Sequence, residues 1–177
     1  MVPFQRHVQR LTRIARQAAG EAGKKVEVRI NGAAGELDRQ VLERMLAPFE
    51  HMIRNAIVHG IELPADRKAA GKDETGAIDV VLRREGSEVV ITVADDGAGV
   101  NLKLVRDRAI SLGLTTPKQE LSDEQALQLI LEPGFSTAGK VTQSAGRGVG
   151  MDVVATEIKK LGGSLYTETQ AGKGTTF

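Results

Sequence analysis

Apolar or small residues at Val8, Leu11, Ile14, Ala15 and Ala18 recur among basic ones, the 3.6-residue period of a helix ending near Gly20 or Gly23. Val26, Val28 and Ile30 then alternate with charged or polar positions, so residues 25–30 read as a half-buried strand turned by Asn31-Gly32. The strongest periodicity runs from Val41 to about Gly60. Leu42, Met45, Leu46, Phe49, Ile53, Ala56 and Ile57 form a core-facing stripe, with Pro48 expected to kink or strain the helix. A polar loop from Glu62 to Gly76 leads to two alternating runs, Ile78 to Arg83 and Val89 to Ala94, joined as a hairpin across Glu85-Gly86-Ser87. Two short helices follow, Leu102 to Leu112 and Ser122 to Leu131, the second opened by a Ser122/Gln125 capping box. Residues 132–147 lack periodicity and read as a mobile loop of unusual length. Gly148 to Leu161 returns to a helix, Ser164 to Thr169 to a strand, and Thr175 to Phe177 begins another. No internal repeat or linker interrupts the order.

Composition narrows the function classes. Twenty-four Lys+Arg against 23 Asp+Glu leave a net charge of +1, so no global charge favours nucleic acid or a membrane surface. Aromatic residues at 3%, with no Trp, argue against a stacking platform for single-stranded nucleic acid. The absence of Cys excludes disulfides, thiol catalysis and thiolate-bound metal. No apolar run reaches the ~20 residues that cross a bilayer, and the first ten residues lack a signal-peptide core, so a cytoplasmic domain without direct membrane contact is expected. At this length one chain can bury roughly 70% of its unfolded surface, enough for a single core. Glycine is abundant, with 20 residues, and twelve of them follow Asp96 in clusters that need a reason.

Three constellations carry candidate chemistry. His51, Asn55 and His59 recur every four residues and stand in one row, away from the apolar stripe. A solvated face is the plain alternative, although such faces usually carry Lys, Glu and Arg pairs, and short hydrogen-bonding groups suit a polyanion and its metal better. Asp95-Asp96-Gly97-Ala98-Gly99 follows a strand directly, giving a carboxylate acceptor beside a backbone free to bend, or else an ordinary Asp-Gly turn. Gly146, Gly148 and Gly150 precede a helix whose N-terminal amides can hold phosphate, the alternative being a hinge. Their spacing fits neither the dinucleotide fingerprint nor the Walker loop.

Together these pieces resemble the ATP-binding domain of the GHKL group of histidine kinases, gyrase-type ATPases and Hsp90. Residues 51–62, Asp95 to Val100, Pro133 to Thr137, Gly146 to Val154 and Gly172 to Phe177 are similar to the five nucleotide boxes of the CheA chemotaxis kinases, in the same order. VPF near the start and Glu36 to Arg39 extend the likeness. The wording from Leu42 to Ala56 resembles CheA-like hybrid kinases of type IV pilus systems. The implied fold is a Bergerat-type α/β (α+β) two-layer sandwich, a mixed, mainly antiparallel sheet with helices on one face. Residues 1–22 would end a dimerisation segment and 23–177 would form the ATP-binding kinase domain, cut before a final strand is complete.

The resemblance implies a role for each matching position. Asn55 would ligate Mg²⁺ between the ATP phosphates, and His59 would touch the phosphates. Asp95 would accept from the adenine amino group, with Gly97, Gly99 and Val100 lining the base. Ser136 and Thr137 would belong to the lid spanning Phe135 to Ala145. Gly146, Arg147, Gly148, Val149, Gly150 and Met151 would cradle the triphosphate, and Thr175 would lie behind the adenine. His51 would be the catalytic residue, in a place where other members carry Glu. Ala138 and Leu104 stand where related kinases present Lys, a departure expected to weaken nucleotide affinity. The implied activity is transfer of the ATP γ-phosphate to a His on a separate phosphotransfer domain, in chemotaxis or twitching motility. A CheW-like adaptor, a receptor array and homodimerisation would act through other domains, and the chain by itself would be a monomer. His7 is not read as the acceptor. Two alternatives stand beside this: an ATP-binding interaction module without transfer, and a gyrase-like ATPase, disfavoured by His51 and by the near-zero charge.

Overall fold

The computed structural model describes residues 2–3, 7–32, 36–37, 39–119, 121–131 and 151–177. The first periodic stretch forms α1 (Val8–Ala22) and stops at Gly23, whose φ of 68° supplies the left-handed cap. Strand β2 (Lys25–Asn31) follows, after a two-residue strand β1 (Val2–Pro3) that pairs with β3 (Glu36–Leu37). The main helix α2 (Arg39–Asn55) runs through Pro48 without ending. It continues as a π-helical turn, Ala56–Gly60, closed by the Ile61 N–H on the Ala56 carbonyl at 2.7 Å. The expected polar loop contains a short helix, α3 (Pro64–Ala69), with Pro64 in its first turn and Gly71 at φ 78° just beyond its end.

The hairpin is formed by β4 (Thr75–Glu85) and β5 (Glu88–Asp95), in register from Ile78 opposite Asp95 to Glu85 opposite Glu88. Then come α4 (Leu102–Ser111), α5 (Asp123–Leu129) with its Ser122/Gln125 capping box, and α6 (Met151–Lys160). The last strands are β6 (Glu168–Gln170) and β7 (Gly174–Thr176). Strand β6 begins four residues later than the alternation from Ser164 predicts. The expected loop at residues 132–147 lies outside the described residues.

Five strands make one sheet in the order β2-β4-β5-β7-β6; β2 runs parallel to β4 and every other pair is antiparallel. The parallel pair is possible because α2, the π turn and α3 supply the long crossover that such a pair needs. Ile78, Val80 and Leu82 of β4 point into one core with Phe49, Ile53 and Ile57 of the main helix and Val154 of α6, all buried. That places the helices on one face of a mixed, mainly antiparallel sheet, as the resemblance implies. Leu11, Ala15, Ala18 and Ala19 of α1 belong to the same cluster. A smaller cluster, Val105, Ala109 and Ala126, joins α4 to α5.

Leu11 is fully buried, so Leu11→Ala is expected to cost about 3 kcal/mol, within the usual ~2–5 for such truncations. Urea unfolding measures it; a cost under ~0.5 kcal/mol would mean that α1 is peripheral to the folding unit.

Candidate functional site

Strand β5 ends on Asp95, and the chain turns away beneath the end of the main helix. Asp95 Oδ1 accepts from the Gly97 N–H at 2.9 Å. Gly60, the last residue of the π turn, faces this carboxylate: a Cβ there would stand 3.1 Å from both oxygens. A Cβ on Gly97 would meet the Gly60 carbonyl at 2.1 Å, so only glycine lets loop and helix end touch, and the Ala98 N–H bonds to that carbonyl at 2.9 Å. Burial pushes the Asp95 carboxyl up; the Gly97 and Thr175 amides pull the other way, and the charges of Asp96 and Glu62 add to the rise. A carboxylate has more acceptor sites than two amides fill, so Asp95 can still accept from a ligand N–H.

Behind Asp95 lies the short hairpin of β6 and β7. Thr175, buried, pairs with Asp95 across β5 and β7, and its hydroxyl lies 3.1 Å from that of Thr169. Thr169 Oγ1 also accepts from the Val100 N–H at 2.9 Å, which fastens the loop's far end. Gly99, at φ 83°, has the Gln170 carbonyl 2.7 Å from where a Cβ would be. Its freedom therefore serves packing of the loop on the hairpin.

Directly before the π turn, Asn55 occupies the last α-helical position of the main helix. Its Nδ2 donates to the Met151 sulfur at 3.6 Å, so two positions far apart in sequence meet where α2 and α6 converge. His51 is half-buried one turn earlier; desolvation lowers its pKa, Glu50 raises it and Arg54 lowers it further. His59 falls within the π turn, so it does not continue the row at α-helical spacing, and its side chain is exposed. Desolvation, then the Lys24 ammonium, lower its pKa.

Sequence reasoning passed over Lys24. It follows the Gly23 cap, and its Nζ donates to the carbonyls of Ile57 at 2.7 Å and Val58 at 2.9 Å. A cation at the negative end of a helix is favourable, and here it holds the π turn from below. A Gly-Lys pair after a basic helix gives no hint of that partner. Thr169 was likewise invisible as a site residue, its role arising from β6 pairing with β7. Of the departures from the family pattern, Leu104 is exposed on α4. Ser136, Thr137, Gly146, Arg147, Gly148, Val149 and Gly150, with Ala138, lie outside the described residues.

With this geometry in place, the comparisons define the class. Residues 46–177 match the model of the histidine kinase-, DNA gyrase B- and HSP90-like ATPases, and the chain belongs to that family. Its nucleotide is therefore ATP. Among curated proteins, the chemotaxis protein CheA of Klebsiella aerogenes is 42% identical over the whole chain, and that of Bacillus subtilis is 42% identical over 179 aligned residues. The sensor histidine kinase CheAY of Helicobacter pylori is 39% identical over 99% of the chain. The chain spans 27% of the first two proteins and 22% of the third. Among solved structures, the catalytic domain of the histidine kinase ThkA aligns with TM-score 0.58 at 14% identity, covering 99% of this chain and 90% of that one. The histidine kinase domain of the blue-light activated kinase of Erythrobacter litoralis aligns with TM-score 0.55 at 16% identity, over 99% and 63%. At such identities the structures speak for the fold.

Asp95→Asn tests the acceptor. A carboxylate can accept from Gly97 and from a ligand at once, whereas an amide has one acceptor and must turn its NH₂ toward one of the two donors. ATP affinity is expected to fall roughly 10- to 100-fold, the loss of a hydrogen bond to a charged group. Thermal stability at pH 7 is expected to rise. The native carboxyl pKa lies above its ordinary value of 3.8, so the folded protein holds the proton more tightly and loses stability as pH rises through that window. The variant's advantage should shrink on acidification. Calorimetric titration with ATP and melting curves across pH read both effects.

Proposed function

We propose that the chain is the catalytic ATP-binding domain of a CheA-like protein-histidine kinase, moving the ATP γ-phosphate to a His on a separate phosphotransfer domain. The observation that carries the reading is the half-buried Asp95 carboxylate at the end of β5, which accepts from the amides of Gly97 and Thr175 and is faced by Gly60 at the end of the main helix. It is supported by the 42% identity to CheA over the whole chain. Chemotactic two-component signalling in the cytoplasm, with an adaptor, a receptor array and a homodimer formed through other domains, follows from that likeness as part of the same proposal. The narrower reading, a hybrid kinase of a type IV pilus system, has the wording from Leu42 to Ala56 as its support.

Mg²⁺ fits the donor set at the phosphate end. With Nδ2 turned to the Met151 sulfur, Asn55 has its Oδ1, a hard oxygen, clear of that contact. Mg²⁺ is usually held by one or two protein groups, waters and substrate phosphates. Bound there, the ion would neutralise phosphate charge. The protein's own part is positioning: Asp95 fixes the base, the helix end fixes Asn55, and the amides at the start of α6 favour an anion. His51, kept neutral at pH 7 by its lowered pKa, can take the proton of the acceptor imidazole as its nitrogen attacks phosphorus.

Labelled phosphate from γ-labelled ATP is expected on a supplied phosphotransfer domain. In His51→Ala the transfer rate should drop about 10²–10⁴-fold, with ATP affinity little changed. Because the charged imidazole cannot act as base, parent activity should decline as pH falls through a value below the ordinary 6.5. An unaltered rate in His51→Ala would remove that residue from the chemistry. ATP binding without transfer at any partner concentration would favour a nucleotide-gated interaction module.

A further inference from the structure

Behind the Asp95 loop lies a charged cluster that the nucleotide reading leaves unused. Arg67 on α3 is 2% exposed. Its Nε donates to the Asp73 carbonyl at 2.6 Å, Nη1 to Glu62 Oε1 at 3.0 Å and to the Asp96 carbonyl at 3.2 Å, and Nη2 to Asp96 Oδ2 at 3.1 Å. Lys72 Nζ donates to Glu62 Oε2 at 2.8 Å and to the carbonyls of Asp96 and Gly97, each at 3.0 Å. Asp96 Oδ1 accepts from the Ala77 N–H at 2.9 Å.

Buried ion pairs by themselves say little about stability, because desolvation offsets the attraction. The destination of these bonds says more. Three of them end on the backbone carbonyls of Asp96 and Gly97, the residues that follow the ligand-facing carboxylate. The other polar groups of the stretch are also filled: the Asp96 N–H by the Ala77 carbonyl at 3.2 Å, the Gly97 N–H by Asp95, and the Ala98 carbonyl by the Gly172 N–H at 2.9 Å. Gly97 has no side chain to hold its peptide planes. Without the ammonium, the plane that carries the Gly97 carbonyl can rotate and carry its neighbours with it. Asp95 would then lose one of its two amide partners, the Gly97 N–H.

We propose that Lys72 and Arg67 are positioning residues for the base end of the nucleotide site, clamping the Asp96–Gly97 peptides so that Asp95 keeps one oxygen on Gly97 and aims the other at the purine. This rests on the nucleotide reading above and adds its specificity. A fixed acceptor selects a purine with an exocyclic amine over one with an oxo group, which would set oxygen against oxygen. The clamp thus acts on discrimination between bases, with the triphosphate end untouched.

The experiment titrates the parent chain, Lys72→Met, Lys72→Arg and Arg67→Lys with Mg-ATP and with Mg-inosine triphosphate, which carries the oxo group, alongside melting curves. The parent is expected to prefer ATP by tenfold or more, the order expected of a hydrogen bond to a charged group. In Lys72→Met, ATP affinity should fall on the order of tenfold while inosine triphosphate affinity stays within about twofold, so that the preference collapses; Lys72→Arg should keep most of it. Should Lys72→Met not fold, Arg67→Lys, which retains charge and loses the fork, is expected to show the same narrowing. An equal loss for both nucleotides, or an unchanged preference in a folded variant, overturns the proposal and leaves the nucleotide site standing. A parent that binds neither triphosphate sinks the nucleotide reading and the proposal with it.

Discussion

A carboxylate has to be kept charged in a half-buried place with one acceptor left open, and most of the site's architecture follows from that demand. Burial disfavours the charge of Asp95, and the repulsion from Asp96 and Glu62 adds to it. Two backbone amides answer part of that cost: Gly97 from the loop and Thr175 from the neighbouring strand. Both must arrive from fixed directions, so the loop needs a glycine at the close approach to Gly60, and the sheet needs β7 beside β5 rather than β6. On the proposed reading, the part left unanswered is what makes the group useful to a ligand. A fully satisfied Asp95 would be a more stable residue and a poorer receptor.

The π turn performs the matching task for the main helix. An α-helix carried on from Asn55 would place its end by a 3.6-residue step; the wider turn instead brings Gly60 against the Asp95 carboxylate while leaving Asn55 on the last α-helical turn beside Met151. The C-terminal end of the main helix thereby carries both Asn55 beside Met151 and the glycine that faces Asp95. Its C-terminal carbonyls would be poorly satisfied without Lys24, whose own pKa is lowered by desolvation and partly restored by Glu62. Since Lys24 follows α1 directly, the packing of α1 and the shape of the turn are mechanically joined.

Much of this was legible in the chain because each signal was local. The stripe from Met45 to Ile57, the Gly86 turn, the Ser122/Gln125 box and the Gly23 stop each rest on spacing within one or two turns, and the structure carries them all. Asp95, Asn55 and Met151 were singled out from short motifs, and the fold brings Asn55 to Met151 and sets Asp95 among glycines. What stayed hidden depends on distant partners. The stretch from Glu62 to Gly76 reads as a polar loop because Arg67 and Lys72 are charged, and nothing nearby tells that Asp96, almost thirty residues on from Arg67, will enclose them. Pro64 and Gly71 did mark a short helix there, a start and stop signal outweighed by polarity. The π turn was hidden for a different reason: Ala56 and Ile57 keep their apolar phase, and the extra residue shows only in the closing bond from Ile61.

On the proposed reading, the charge balance behind Asp95 follows from the ligand's chemistry. Adenine is neutral, and its amine is a weak donor that has to be found by geometry. Glu62 and Asp96 contribute two negative charges, Arg67 and Lys72 two positive, with Arg67 paired to both carboxylates and Lys72 to Glu62. A surplus cation there would drive Asp95 further toward its charged form and draw it inward, competing with the ligand; a surplus anion would raise its pKa still more and leave it protonated, a donor facing a donor. A balanced cluster avoids both and still supplies the hydrogen bonds that immobilise the peptide. On the proposed reading strong fields are needed where a triphosphate must be held, and there the N-terminus of α6 would offer its dipole and Asn55 a metal-seeking oxygen. Such a site would be polarised along its length, with geometry selecting the base and electrostatics holding the phosphates, and the C-terminal end of the main helix would contribute to both through Gly60 and Asn55.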